Sequence, residues 1–237
     1  MKEKTLGILG GVGPLATIYF EDLIINMTDA ASDQEHIPML VYNHAQIPDR
    51  TAYILDSSQP NPLPVMQRDA RMLEQCGCDV IVIPCNTAHY FYEEIQKSVN
   101  VPILNILEET VSHCEQTIPD LKKIGVLATE GTIRSQAYQQ IIEKHGLSCE
   151  LPTEDELKTL MDIIYNQVKA GKEVDIYAFQ HIIHEMKKRG ADAVVLGCTE
   201  LSVIKKDFNI DRYDVVDSLA CLAGASIRFC GKTIKKD

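Results

Sequence analysis

Two stretches of this chain are near copies of one another. Gly77-Cys-Asp79-Val-Ile-Val-Ile-Pro-Cys85-Asn-Thr87 and Gly190-Ala-Asp192-Ala-Val-Val-Leu-Gly-Cys198-Thr199-Glu align without a gap at an offset of 113 residues, matching Gly, Asp and Cys in order. A second echo, Thr5-Leu-Gly7-Ile-Leu9 against Lys123-Ile-Gly125-Val-Leu127, falls at an offset of 118. A duplication of this kind commits the chain to two units of one plan. In each unit a buried run of strand length ends on a cysteine beside hydrogen-bonding side chains.

The rest of the sequence fills in those units. Apolar runs at 5–10, 37–43, 79–84 and 101–106 read as strands, with segments of helical period near 14–28, 62–77, 87–98 and 107–116 between and after them. The rhythm restarts with a strand at 123–128, a helix at 132–146 and helices at 153–171 and 173–190. It then returns to a strand at 191–197, a late strand at 213–217 and a final helix at 218–231. Thr153 and Glu156 form a capping box, and Pro62 and Gly77 bracket a helix. Strands that alternate with helices predict an α/β fold of two similar lobes, each a short parallel sheet flanked by helices, with the active site in the cleft between them. The expected division is 1–103 plus 211–237, carrying Cys85, and 104–210, carrying Cys198.

Composition narrows the function. Lys and Arg number 23 against 34 Asp and Glu, a formal charge of −11, and no basic cluster relieves it. Such a surface argues against nucleic acid, and KTIKK near the end reads as a solvated helix tail. No apolar run approaches the roughly 18 residues of a membrane span, and MKEKTLGILGG reads as a first strand rather than a signal peptide. Eight cysteines in a chain of 237 residues without a secretion signal predict reduced thiols and a cytoplasmic protein. Cys76-Gly-Cys78 has no second pair at zinc-finger spacing, so no metal site is expected.

The matched cysteines suggest chemistry. In open α/β sheets ligands bind beyond the carboxyl ends of strands, where helix N-termini point, and both Cys85 and Cys198 fall at such a junction. Facing one another across a cleft, two thiols could invert one carbon: one takes a proton from one side and the other returns a proton to the opposite side. A free thiol is only about 3% ionised at pH 7, and a helix N-terminus adds roughly 0.3–1 kcal/mol towards the thiolate. Further donors are needed, and Asn86, Thr87 and Thr199 are placed to supply them. Alone, a cysteine at a strand end reads as a small buried hydrophobe; a matched pair with polar neighbours reads as a reaction centre. The remaining six cysteines read as structural.

At these residues the sequence resembles the aspartate/glutamate racemase family, and its aspartate-racemase branch above all. The resemblance runs through LGILGGVGPLAT (6–17), QIPDRTAYIL (46–55), PCNTAHYFYEEI (84–95), LATEGTI (127–133), IIYNQVKAG (163–171) and GCTELSV (197–203). It implies two α/β lobes, a homodimer, no pyridoxal phosphate or other cofactor, no metal, and an acidic amino acid as substrate. Cys85 and Cys198 would be the catalytic pair, with Asn86, Thr87 and Thr199 holding the substrate's own carboxylate and ammonium. Arg50 in PDRT and Lys169 in VKAG would bind its side-chain carboxylate, and a guanidinium fork suits that task. Val12 stands where many relatives have Met, and His89 reads as a packing or surface residue.

Other readings stay open on the sequence. Gly11-Val-Gly13-Pro-Leu-Ala16 fits the G-x-G-x-x-A pattern of dinucleotide-binding folds, which would make the chain a nicotinamide oxidoreductase. The acidic residue expected at the end of the second strand is missing there, since that strand closes on Tyr42-Asn43-His44. A non-catalytic amino-acid-binding protein, a racemase of broader specificity, or a related cysteine-dependent isomerase also fit the pattern.

Overall fold

The computed structural model describes residues 3–210 and 214–235. Eight strands form two sheets of four. The first holds β1 (Leu6–Gly10), β2 (Met39–Asn43), β3 (Val80–Val82) and β4 (Ile103–Leu104) in the order β2-β1-β3-β4. The second holds β5 (Lys123–Ala128), β6 (Ser148–Glu150), β7 (Ala193–Gly197) and β8 (Val215–Asp217) in the order β6-β5-β7-β8. Every pairing is parallel, and the two orders are the same plan, as the repeat predicts.

Eleven α-helices connect and cover the sheets: α1 (Pro14–Met27), α2 (Arg50–Leu55), α3 (Leu63–Gln75), α4 (Tyr92–Gln96), α5 (Ile106–Thr117), α6 (Glu130–Arg134), α7 (Ala137–Lys144), α8 (Glu154–Asp162), α9 (Ile176–Lys188), α10 (Thr199–Phe208) and α11 (Ser218–Phe229). The matched Gly and Asp of the repeat now have physical roles. Gly77 and Gly190 end α3 and α9 with φ of 90° and 91°, a left-handed cap that glycine adopts without steric cost. Asp79 then accepts from the Thr5 amide, and Asp192 from the amides of Lys122 and Lys123. Each aspartate ties the start of one strand to the start of its neighbour.

Alternation along the strands divides the apolar side chains into three layers. Ile8, Val80, Val82, Ile124, Val126 and Val195 face a shared core between the lobes, with α1, α5, α7 and α11 packed into it. Leu9, Ile81 and Ile83 face outward onto α3. Val194 and Leu196 face the opposite way onto α9, α10 and the turn that follows α8. The central strands β1, β3, β5 and β7 are buried on both faces, so their sequences are near-continuous apolar runs.

Several local expectations change. Strand β8 hydrogen-bonds to β7, so residues 215–217, assigned above to the first lobe, complete the second sheet. Helix α11 then returns to pack on α1 and α5. The start of that strand at Tyr213, the lobe boundary at residue 211 and Lys236 of the tail lie outside the described residues. The tail itself is not helical: Ile234 bridges to Thr28, and the Lys235 amide donates to Met27 O at 2.8 Å. The expected helix at 87–98 opens as a 3-10 turn, Thr87–Phe91, before α4. The one at 132–146 is broken at Gln136, whose φ is 59°, into α6 and α7. The long helix at 153–171 changes after Asp162 into a π-helical stretch, Ile163–Val168, a rare geometry that is frequent at functional sites. Helices α2 and α10 and strand β6 were not expected. No described helix is long and apolar enough to cross a membrane, and all eight cysteines are free thiols.

Candidate active site

The first lobe delivers Cys85 by running out of ladder. Pro84 has no N–H to give a neighbouring strand, and the Cys85 amide turns back onto Ile83 O at 2.7 Å. The second lobe delivers Cys198 as the N-cap residue of α10, directly after β7. Both thiols are nearly buried, at 7% and 5% exposure. They line one closed cleft with Val12, Arg50, Asn86, Thr87, Thr199 and Glu200, and its free volume is only about 10 Å³. Asp49, Thr51, Thr129, Tyr165 and Lys169 complete the lining. All seven residues picked from the sequence as site residues therefore meet at one place, where the two sheets present their carboxyl ends.

Their environments differ sharply. Cys198 Sγ donates to Glu200 Oε2 at 3.0 Å. Burial, and then the adjacent Glu200 carboxylate, hold this thiol well above the ordinary thiol range, against the opposing pull of Lys169. Lys169 Nζ stands 3.7 Å from Glu200 Oε1 and 4.1 Å above the Tyr165 ring. Burial works against its charge, but Glu200 and the neighbouring Cys198, Tyr165 and Asp49 prevail and raise it. The first lobe offers no carboxylate at the equivalent place. The repeat sets Thr87 opposite Glu200, and Thr87 Oγ1 lies 3.0 Å from Thr129 Oγ1 and 2.9 Å from Thr132 Oγ1. Thr51 Oγ1 joins the same hydroxyl cluster through Thr129 at 3.3 Å.

Arg50 is the outlier. It is 8% exposed, and its Nη1 donates to the carbonyls of Ile47 at 3.2 Å and Pro48 at 2.9 Å. Its Nε has no partner, and no carboxylate forms an ion pair with it among the described residues. An isolated buried cation costs several kcal/mol, so this residue points to an anion that completes it.

Asn86 is more committed than the sequence suggests. Its Oδ1 accepts from Tyr138 OH at 2.7 Å, and its Nδ2 donates to Ser218 Oγ at 2.9 Å, which in turn donates to Leu196 O at 2.7 Å. This chain ties the turn after β3 to α7, α11 and β7, leaving one amide N–H of Asn86 for anything else. His89 is fully interior rather than a surface residue. The Ile106 amide donates to its Nε2 at 3.2 Å, which fixes the proton on Nδ1, 2.9 Å from Cys85 O. Burial outweighs these bonds and lowers its pKa to about 4. The dinucleotide-like loop also has a local purpose. A Cβ on Gly13 would stand in ordinary contact with the opposite lobe, 3.5 Å from Glu200 Oε1 and 3.6 Å from Thr199 Oγ1, so the loop runs beside that lobe and it is the φ of 121° that calls for glycine.

Glu200, Tyr165, Asp49, Thr51 and Thr129 line the cleft but were not singled out from the sequence. For Glu200 a signal existed: it is a carboxylate two residues after a repeat cysteine, in the first turn of a helix. The others come from loops whose approach only folding decides.

With this geometry in hand, comparison with known proteins is informative. The Asp/Glu/Hydantoin racemase family pattern matches residues 9–225. The chain belongs to that family. Among curated family members, the broad specificity amino-acid racemase RacX of Bacillus subtilis is 31% identical over 231 residues, covering 94% of this chain and 96% of RacX. The solved Picrophilus torridus aspartate racemase superposes with a TM-score of 0.82 at 31% identity, over 98% of this chain and 96% of that one. Francisella tularensis glutamate racemase, solved with D-glutamate, shares the fold with a TM-score of 0.66 at 19% identity, covering 97% of this chain and 81% of its own. The family fold, two parallel four-stranded sheets flanked by helices, is the one described above. Membership makes the chain an amino-acid racemase in the broad sense.

Proposed function

We propose that this racemase interconverts the enantiomers of an acidic amino acid, aspartate first and glutamate second, by proton transfer between Cys85 and Cys198 without a cofactor. One observation carries the reading: a buried arginine without a counter-ion lines the same closed cleft as the two matched cysteines. Arg50 would take the substrate's side-chain carboxylate, with Lys169 contributing from the other wall. The remaining Asn86 N–H and the hydroxyls of Thr87 and Thr199 would hold the α-carboxylate and ammonium. One thiolate removes the α-proton, the other thiol protonates the opposite face, and the roles exchange in reverse. Room for about 10 Å³ is no more than one water, so the lobes must part to admit a substrate and close on it.

A second reading, broader amino-acid specificity, has its own support. Beyond Arg50, Lys169 and Glu200 lies an adjoining cavity of about 330 Å³ lined by Ala16, Ala45, Ile47, Val168 and Val203, which could take a longer apolar side chain. The name of the Bacillus relative points the same way. A homodimer also belongs to this proposal. Helix α1 turns Leu15, Ile18 and Ile25 outward, at 58%, 58% and 46% exposure, a stripe suited to burial against a second copy.

Proton NMR of amino acids in heavy water tests the assignment, using the wild type, Cys85→Ala and Cys198→Ala. Loss of the α-proton signal from aspartate or glutamate is expected with the wild type, and loss of racemisation in both variants. No exchange with any acidic amino acid would sink the reading, and unchanged racemisation by Cys198→Ala would sink the two-base mechanism. A monomer mass by light scattering would remove the dimer.

A further inference from the structure

Asp69 is a buried carboxylate outside the cleft. It lies wholly inside the first lobe, on the face of α3 that carries Met66, Ala70 and Leu73. Arg68 Nε and Nη2 donate to its Oδ1 at 3.0 and 2.8 Å, and His44 Nδ1 donates to its Oδ2 at 2.6 Å. Burying a carboxylate is costly, and a pair with Arg68, whose side chain is largely exposed, could form at the surface. What the interior position adds is the short bond to His44.

His44 is the first residue after β2 and opens the stretch that ends on Arg50. Its carbonyl accepts from the Ile47 amide at 3.3 Å, which closes a turn, and Ile47 sinks into the core beneath α3. The carbonyls of Ile47 and Pro48 then hold Arg50 Nη1. On its other side the His44 backbone supports the glycine loop. A Cβ on Gly11 would collide with that backbone, and the next residue, Val12, lines the cleft. The bond from His44 to Asp69 therefore ties two walls of the cleft to one packed helix.

We infer that His44 and Asp69 are positioning residues for the substrate's side-chain carboxylate: their bond fixes the turn that presents Arg50, and so sets how tightly that carboxylate is held. The inference rests on the reading of Arg50 as the anion site of an acidic amino-acid racemase. Neither residue lines the cleft with the cysteines, so the effect falls on binding rather than on proton transfer. With the turn released, the carbonyls that hold the guanidinium move independently of the core, and substrate must order them again before it can bind. That ordering cost is the same for bound substrate and transition state, so it raises KM and leaves kcat nearly unchanged.

The test is racemisation kinetics with the better substrate of aspartate and glutamate. His44→Phe keeps a ring beside Tyr42 but removes the donor, Asp69→Ala removes the acceptor, and His44→Asn sets its Nδ2 in the place of Nδ1. His44→Phe and Asp69→Ala are each expected to raise KM roughly tenfold or more, with kcat changed less than about threefold. The double variant should add less than about threefold to either single one, since both remove the same bond. His44→Asn should bring KM back to within about threefold of the wild type. KM does not depend on how much of a variant folds, so a lower yield leaves the result readable. A loss confined to kcat, additive effects in the double variant, or a KM in His44→Asn as high as in His44→Phe would each overturn the positioning role. An unchanged KM in Arg50→Met would instead overturn the anion-site reading beneath it.

Discussion

Replacing Arg50 by methionine should make the unliganded protein more stable and its acidic substrate a worse ligand. The guanidinium is 8% exposed and makes two bonds, both from Nη1 to carbonyls, while Nε is unpaired. Burial of an uncompensated cation costs several kcal/mol, and each bond from a charged donor returns roughly 1.5 kcal/mol or more. The balance leaves about 1–2 kcal/mol to be gained by Arg50→Met, whose side chain refills the space of the aliphatic stem. For a domain of this size that is a rise in Tm of roughly 2–8 °C. Binding should move the other way. Removing one partner of a buried charge pair costs about 2–5 kcal/mol, a loss of about 30-fold to several thousand-fold in affinity for a dicarboxylate. Succinate, a dicarboxylate with no stereocentre to invert and no α-ammonium to acidify a Cα–H bond, is a suitable probe in a thermal-shift titration. At a hundred times its Kd for the wild type it should stabilise the wild type by about 2.7 kcal/mol and the variant by less than about 1 kcal/mol. A variant that melts several degrees lower and still binds succinate like the wild type would refute the assignment of Arg50 as an anion site.

Three further outcomes follow from the interior around the cysteines. His89 is neutral in the folded state with its pKa lowered to about 4, so the stability it contributes is present above the ordinary histidine pKa near 6.5 and is lost as pH falls through about 4. Urea unfolding at pH 7.5 and 4.5 should show a pH-dependent loss in the wild type that is about 2.5 kcal/mol larger than in His89→Gln; an equal loss in both would discard the reading. Tyr138→Phe leaves Asn86 Oδ1 without its donor at 2.7 Å and should cost about 1–3 kcal/mol, seen as a lower urea midpoint with an unchanged m-value. Gly13→Ala adds a methyl group near Glu200 at a φ of 121°. Calorimetry should register about 1–3 kcal/mol of destabilisation, and wild-type stability would show that the loop relaxes freely.

The architecture was largely legible because strands buried on both faces leave unbroken apolar runs, and because a repeat forces one plan twice. What escaped notice had two kinds of cause, weak local signals and one long-range pairing. Helix α2 is six residues long, too short for a periodic signal, and is started by the Asp49 side chain accepting from the Ala52 amide at 2.8 Å. The break between α6 and α7 needs a left-handed residue, and Gln136 gives no warning of one. The pairing of β8 with β7 instead of the first sheet is a long-range choice that three residues cannot encode alone.

For the site, the repeat singled out the two cysteines and their polar neighbours in the sequence, whereas Arg50 and Lys169 came only from the family resemblance. The sequence could not determine the state of those groups. Asn86 appeared free to hold a substrate until Tyr138 and Ser218 closed on it, and nothing in PDRT announces that Arg50 is buried with its Nε unpartnered. The inequality of the two thiols begins in the sequence, since Glu200 stands two residues after Cys198 where Thr87 stands after Cys85. Folding decides the rest, because charge and burial act through space: it encloses both thiols, sets Lys169 beside Glu200 and surrounds Thr87 with hydroxyls.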